Sequence, residues 1–356
     1  MSRAAAHADI FYFEEPLFVD IDQPSLREQA ATRGVRVLTP LLPHGDGLED
    51  SFQAQRRLLD EWLRQRNPLK LIVWYYTPMA LLLTDHLRPD VVVYDCMDQL
   101  SAFEGAPPEL VEQERRLFEV ADVVFTGGRS LYEEKRGKHR RVRLFPSSVD
   151  REHFAASRNP QADPQDQADI PYPRIGFFGV IDERLDQELL RSAAECEPLW
   201  QFIMIGPVVK IDPDGLPRAH NIHYLGQKQY SDLPQYLAHW QVAMLPFAQN
   251  ASTRFISPTK TPEYLAAGKP VVSTPVRDVV EPYQRLGLAH IARNSEEFCQ
   301  AIRDALEPAG EGWLAEVDDF LRHTSWDQTF ASMWSEVEQL QGGVRANDTN
   351  EGVTDV

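Results

Sequence analysis

The sequence predicts an α/β protein of two doubly wound domains facing each other across a cleft. Three observations lead there. Its 356 residues exceed one ordinary core, and 43% of them are apolar, enough to fill two. Short apolar runs rich in β-branched and aromatic residues alternate with amphipathic stretches in both halves, the pattern of parallel strands covered on both faces. Between the halves, residues 155–171, AASRNPQADPQDQADIP, hold almost nothing that could join a core and read as an exposed connector.

The first domain, residues 1–154, takes its strands from IFYF at 10, VRVLT at 35, KLIVWYY at 70, DVVVYD at 90, DVVFTG at 122 and VRLFP at 142. The Trp and Tyr of IVWYY have strand spacing and are expected in the core. After the connector, RIGFFG at 174, QFIMIGP at 201, NIHYLG at 221, VAMLPF at 242 and KPVVSTP at 269 form a second wound unit, residues 172–324. Ligands of such sheets lie outside the carboxyl ends of the strands. Residues 341–356 lack apolar periodicity and are expected to be a disordered tail.

Composition narrows the function. A formal charge of -18 with a pI near 5.0 would repel a nucleic acid backbone. No signal-peptide pattern opens the chain, and runs such as MALLL are too short to span a bilayer, so a cytoplasmic location is expected. Cys96, Cys196 and Cys299 have no metal-like spacing and are expected to be reduced and buried. ATPase, zinc hydrolase and serine esterase readings lack their GxxxxGK[ST], HExxH and GxSxG motifs.

The most informative segment is SPTKTPEYLAAGKPVVSTP, residues 257–275. Thr261 is placed to cap a helix, Pro262 to occupy its first position and Gly268 to end it. Free amides at that helix start, with Lys260 and Arg254 beside them, could hold a diphosphate. Glu263 could accept two hydrogen bonds from a ribose diol. Helix-end electrostatics alone would account for the same charges, and both readings stay open on the residues.

KTPEYLAAGKPVVSTP resembles the K-x-x-E-Y-x-x-x-G-x-P-V segment of retaining GT-B glycosyltransferases of family 4, in which the glutamate grips the donor ribose. Further resemblances follow in order: SSVDREHF at 147, RIGFFGVIDERLD at 174, IMIGP at 203, NIHYLGQKQYSDLPQYL at 221 and SWDQTFASMWSEVEQL at 325. The last is similar to a terminal helix, here residues 325–340, that crosses back to the first domain. FYFEEPLF and YDCMDQLSAF resemble the teichuronic-acid-type branch of bacterial surface polysaccharide enzymes. The resemblance implies a UDP-, GDP- or TDP-linked sugar donor in the second domain, a glycan or lipid-linked acceptor on the first, retention at the sugar carbon, and neither metal nor cofactor. It implies donor contacts from Gly179, Arg184, Gly206, Asn250, Thr253, Arg254, Ser257, Lys260, Thr261 and Glu263. Asp98, then Asp95, are the candidates at the catalytic edge of the cleft; the alternative is that both cap the next turn.

The chain departs from that pattern in three places. Phe255 stands eight residues before Glu263, where the family carries another carboxylate. Val180 follows Gly179 where many relatives have arginine; Arg184 is either a substitute cation or an exposed helix-start arginine, and Arg254 with Lys260 is the preferred pair. Only about eight residues precede FYFEEPLF, so the first strand and helix of the amino-terminal domain are expected to be missing, leaving the acceptor side open or completed by a protein partner. Two other readings therefore compete: a nucleotide-binding scaffold or partner subunit without activity, and a nucleotide-sugar epimerase. Gly127 and Gly128 suggest a close-packed turn. The basic run KRGKHRRVR at 135 is either a solvated helix end or a peripheral membrane contact through residues 135–143.

Overall fold

The computed structural model describes residues 1–31, 34–45 and 47–342. The first domain holds β1 (Ile10–Phe13), β2 (Leu17–Val19), β3 (Ser25–Ala30), β4 (Val35–Pro43), β5 (Ile72–Tyr75), β6 (Val91–Cys96), β7 (Val123–Thr126) and β8 (Val142–Leu144). Its helices are α1 (Leu48–Arg66), α2 (Leu81–Thr84), α3 (Leu110–Val120), α4 (Arg129–Lys135) and α5 (Arg151–Ala155). Each apolar run of the sequence is a strand. They form two sheets rather than one: β5-β6-β7-β8 is all parallel, whereas β1 and β2 share one edge of β4 and β3 lies antiparallel on its other edge.

The second domain contains β9 (Arg174–Phe178), β10 (Gln201–Ile205), β11 (Ile222–Gly226), β12 (Val242–Leu245), β13 (Val271–Ser273) and β14 (Ala289–Ile291). Around them lie α6 (Gln187–Cys196), α7 (Leu233–Ala238), α8 (Lys260–Ala266), α9 (Arg277–Val279), α10 (Ser295–Leu306) and α11 (Trp313–Leu321). The sheet is parallel throughout, in the order β11-β10-β9-β12-β13-β14. That is the doubly wound order in which the topology reverses beside the first strand and opens a crevice at the strands' carboxyl ends. β9, β10 and β12 are buried along their whole length, which explains their unbroken apolar sequences.

A last helix, α12 (Trp326–Gly342), returns to the first domain. Its Met333, Trp334 and Val337 pack with Val91, Val93, Val123 and Phe125, so one face of the β6-β7 sheet is closed by the far end of the chain. The return runs beside the outgoing segment: Val149 bridges Ser325, and the Ser148 and Thr329 hydroxyls lie 2.7 Å apart. Residues 341 and 342 complete α12; the tail expected beyond them lies outside the described residues.

Three expectations change. The connector is not loosely exposed. Gln167 is fully buried and accepts the Trp240 indole N–H at 2.9 Å, Asp163 pairs with the buried Arg174 at 2.7 Å, and Asp166 with Lys228 at 2.6 Å. Its polar side chains satisfy buried donors of the second domain, a form of anchoring that apolar counting overlooks. The basic run is drawn partly into the fold, while Arg136 and Arg140 stay exposed. Lys135 is buried on Glu114 at 2.7 Å, Lys138 pairs with Glu134, and Arg141 and Arg143 both reach Glu336 of α12. Of the cysteines, all free, Cys96 and Cys299 are buried but Cys196, at the end of α6, is exposed.

Candidate functional site

β9 and β10 both run into glycines at their carboxyl ends. Gly179 has φ +147° and Gly206 φ +144°. A Cβ on Gly206 would lie 1.8 Å from the Gly179 carbonyl oxygen, and one on Gly179 would lie 2.2 Å from Lys260 Cε and 2.9 Å from its Nζ. Only glycine permits this floor, on which the Lys260 side chain lies flat.

Lys260 is held there by the helix it begins. Tyr264 of α8 is fully buried, and its hydroxyl accepts the Phe178 amide N–H at 3.0 Å, pinning α8 to the end of β9. Glu263, three residues after Lys260, shares its face. Burial drives the Glu263 carboxyl up from 4.5 to about 7, with Lys260 opposing. Burial likewise lowers the Lys260 ammonium, against the pull of Glu263, Asp182 and Asp98. Two titratable groups of opposite sign in one partly buried corner, with no hydrogen bond to each other among the described residues, are poised for a polar ligand.

The remaining walls come from three loops. After β9, Arg184 makes a two-pronged pair with the buried Asp182, at 2.9 and 2.6 Å. After β10 comes Lys210. Across the cleft, Phe103 of the first domain lies under both cations, 5.5 Å from the Arg184 guanidinium carbon and 5.7 Å from Lys210 Nζ. Asp98, from the same first-domain loop, is raised by burial and lowered by Arg184 and Lys260, so it faces the second domain's cations. Beyond Glu263, the half-exposed ring of Tyr230 stacks on His153 at 4.2 Å, and its hydroxyl is pushed up to about 12 by burial, then by Glu263.

Of the residues singled out in the sequence, Gly179, Arg184, Gly206, Lys260, Glu263 and Asp98 therefore converge. The others do not. Asp95 turns to the opposite face of β6, where it accepts the Trp74 indole N–H at 3.0 Å and is raised to about 6 by burial. Thr261 is not the cap: α8 begins at Lys260, Pro262 is its third residue, and the Thr261 side chain is wholly buried with its hydroxyl unpaired among the described residues. A Thr-Pro pair imitates a helix start, but this one has already begun, since the Pro258 carbonyl oxygen accepts the Thr261 amide N–H at 3.2 Å. Gly268, at φ +73°, does end it. Ser257 belongs to the domain contact: a Cβ on Gly128 would meet it at 2.7 Å and Asp278 Oδ2 at 2.2 Å, and its carbonyl oxygen accepts from Ser147 at 3.4 Å. Asn250 and Thr253 brace their own loop. The Asn250 side chain accepts the Thr253 amide N–H at 3.0 Å and donates to the Glu183 carbonyl oxygen at 3.0 Å, while the Thr253 hydroxyl donates to the Ala248 carbonyl oxygen. Arg254 lies over the Phe255 ring and lines a separate pocket with Ser130 and Glu134.

Phe103, Lys210 and Tyr230 were missed as site residues. The available signal was positional: each follows the carboxyl end of a strand.

Two α/β domains facing a cleft, the second with its crevice at the β9–β12 reversal, define the GT-B fold of glycosyltransferases. Residues 172–308, nearly all of the second domain, match the family model described as glycosyl transferases group 1. The chain is 28% identical over 236 residues to a Bacillus subtilis protein named as a teichuronic acid biosynthesis glycosyltransferase, TuaH. That alignment covers 61% of this chain and 59% of the relative, so the match spans little more than half the relative's length. Among solved structures, sucrose-phosphate synthase from Thermosynechococcus elongatus superposes with a TM-score of 0.72 at 16% identity, covering 96% of this chain and 91% of that one. Anabaena HepE, solved with UDP and glucose, gives 0.64 at 15% identity, with 95% and 94% covered. No described helix is long and apolar enough to cross a membrane.

Proposed function

We propose that this chain transfers a sugar from a nucleoside diphosphate donor to a glycan or lipid-linked acceptor, with retention, in the assembly of a surface polysaccharide. One observation carries the reading: Lys260 lies on the Gly179 floor with Glu263 beside it on the same helix face, at the reversal of the second sheet. Lys260 and Arg184, with Lys210 at the rim, are the cations for the two phosphates. Glu263 takes the ribose hydroxyls, and the exposed face of Tyr230 lies where the base would follow. The UDP in HepE and the name of the B. subtilis relative support a uridine nucleotide and an envelope glycan.

The chemistry asked of the chain is mostly positioning and charge. Breaking the bond between sugar and diphosphate builds negative charge on the leaving oxygen. Cations fixed beforehand in a partly dry cleft stabilise that charge without reorganising. Asp98, facing those cations from the other domain, is placed to orient a hydroxyl of the sugar or acceptor.

Calorimetric titration of UDP, GDP and TDP into wild type, Glu263→Ala and Lys260→Ala tests this. Selective binding to wild type, weakened at least tenfold in both variants, is expected. Equal binding by all three proteins, or no release of nucleoside diphosphate with any donor and acceptor pair, would overturn it.

A further inference from the structure

Helix α6 ends in an exposed cysteine, Cys196, and α10, which packs against α6, carries the buried Cys299. We propose that these two thiols are a redox modification site of the second domain, joined reversibly as a disulfide by a peroxide. The proposal stands apart from the sugar-transfer reading, in which neither sulfur has a role.

Helix geometry brings the pair together. Cys299 and Arg303 are four residues apart on α10 and share one face. From that face Arg303 donates to the Cys196 sulfur at 3.9 Å and to the carboxylate of Glu197, the next residue. Its guanidinium acts on both sulfurs. Cys299 and Cys196 are also hydrogen-bonded to each other, so the two thiols are in direct contact. Side chains that already touch from neighbouring helices meet the first condition for a disulfide.

Their surroundings divide the work. Cys196 is open to solvent with a cation at its sulfur, the setting in which a thiol meets an oxidant. Cys299 is 2% exposed, and burial first, then Cys196, pushes its thiol up to about 12, so it keeps its proton and stays out of reach of the oxidant. The order of events follows. The Cys196 sulfur attacks one oxygen of hydrogen peroxide and the O–O bond breaks, leaving a sulfenic acid and one water; the sulfur is oxidised and the peroxide reduced. The Cys299 sulfur then attacks that of Cys196. An S–S bond forms, the S–O bond breaks, and the departing hydroxide takes the Cys299 proton and leaves as a second water. Exchange with an external thiol restores both cysteines. The bond closes a loop that holds β10 to β14, which restricts the unfolded chain and should raise the melting temperature by about 5 °C. Cys96, buried in the other domain, should remain a thiol.

The test treats the full chain with hydrogen peroxide, unfolds it, caps the remaining thiols with N-ethylmaleimide and maps tryptic peptides without reduction. The expected main product is a Cys196–Cys299 peptide pair, two hydrogens lighter than its reduced parts, with Cys96 capped; dithiothreitol should reverse it. Cys196→Ser should leave Cys299 capped, and Cys299→Ala should leave a sulfenic acid at Cys196 that dimedone traps. The rise in melting temperature should appear in wild type and in neither variant. Cys196 oxidised onward to sulfinic acid while Cys299 stays a thiol, disulfides formed only between molecules, or Cys96 oxidised as fast as Cys196, would overturn the proposal. Should Cys299→Ala fail to fold, the wild-type peptide map decides alone.

Discussion

Replacing Glu263 with glutamine should stabilise the protein at alkaline pH while weakening its grip on nucleotide. Folding raises this carboxyl from 4.5 to about 7, chiefly by burial. A group whose pKa is raised in the folded state contributes stability that is complete below about pH 4.5 and lost as pH rises through about 7. At about 1.4 kcal/mol per decade, keeping Glu263 ionised at pH 8.5 costs roughly 3 kcal/mol. Glutamine removes that cost but takes from Lys260 the anion that most supports its charge, and burial already lowers the lysine. The net gain expected at pH 8.5 is therefore about 1–2 kcal/mol, shrinking toward zero at pH 5, where wild-type Glu263 holds its proton. Urea unfolding of the nucleotide-free protein at pH 5, 7 and 8.5, following the step that carries the second domain, measures it. A difference between wild type and variant that is independent of pH, or a variant less stable at pH 8.5 than at pH 5 relative to wild type, would refute the reasoning.

The glycine floor separates stability from function. Gly206→Ala drives a Cβ into the Gly179 carbonyl oxygen and should cost more than about 3 kcal/mol by urea midpoint, whereas Gly179→Ala, strained at φ +147° but meeting the far end of a lysine, should cost less and also lower nucleotide affinity tenfold or more. Asp278→Ala leaves the buried Ser130 amide of the other domain without its acceptor, at a cost of about 1–3 kcal/mol. Calorimetric melting should then resolve two transitions closer to independent domains; an unchanged single profile would count against the contact. Lys135→Met should cost about 3–5 kcal/mol because it strands Glu114, and adding Glu114→Leu should restore most of the melting temperature.

The strands that the sequence revealed carry short apolar runs, whether buried throughout, as β6, β7, β9, β10 and β12 are, or only partly, as β1 and β5 are. β3 reads SLREQA and β14 reads AHI, and neither carries that signature, since one is a polar antiparallel edge and the other three residues long. Lys260 and Glu263 were legible because their relation is local, one turn of one helix. The choice of Arg254 over Arg184 as companion cation followed sequence proximity, but convergence at a sheet's carboxyl ends is decided by strand order, which brings the loops after β9 and β10 to α8. The partners of the run at 135 were hidden for the same reason, since Glu114 and Glu336 lie far from it along the chain. Thr261 shows the limit of cap signals: the residue type fitted, yet the helix had already started.

Helix α12 sets a timetable for synthesis. The β6-β7 sheet leaves the ribosome early, but one of its faces is covered largely by Met333, Trp334 and Val337, which follow the second domain, with Ala4 beside them. The second domain, translated in between, has its own core and can close first. Until residues 326–342 arrive, the first domain carries an apolar surface that a nascent chain must shield, through a chaperone or through brevity. A stalled or truncated product ending before α12 would thus pair a finished second domain with a sticky, half-built first one.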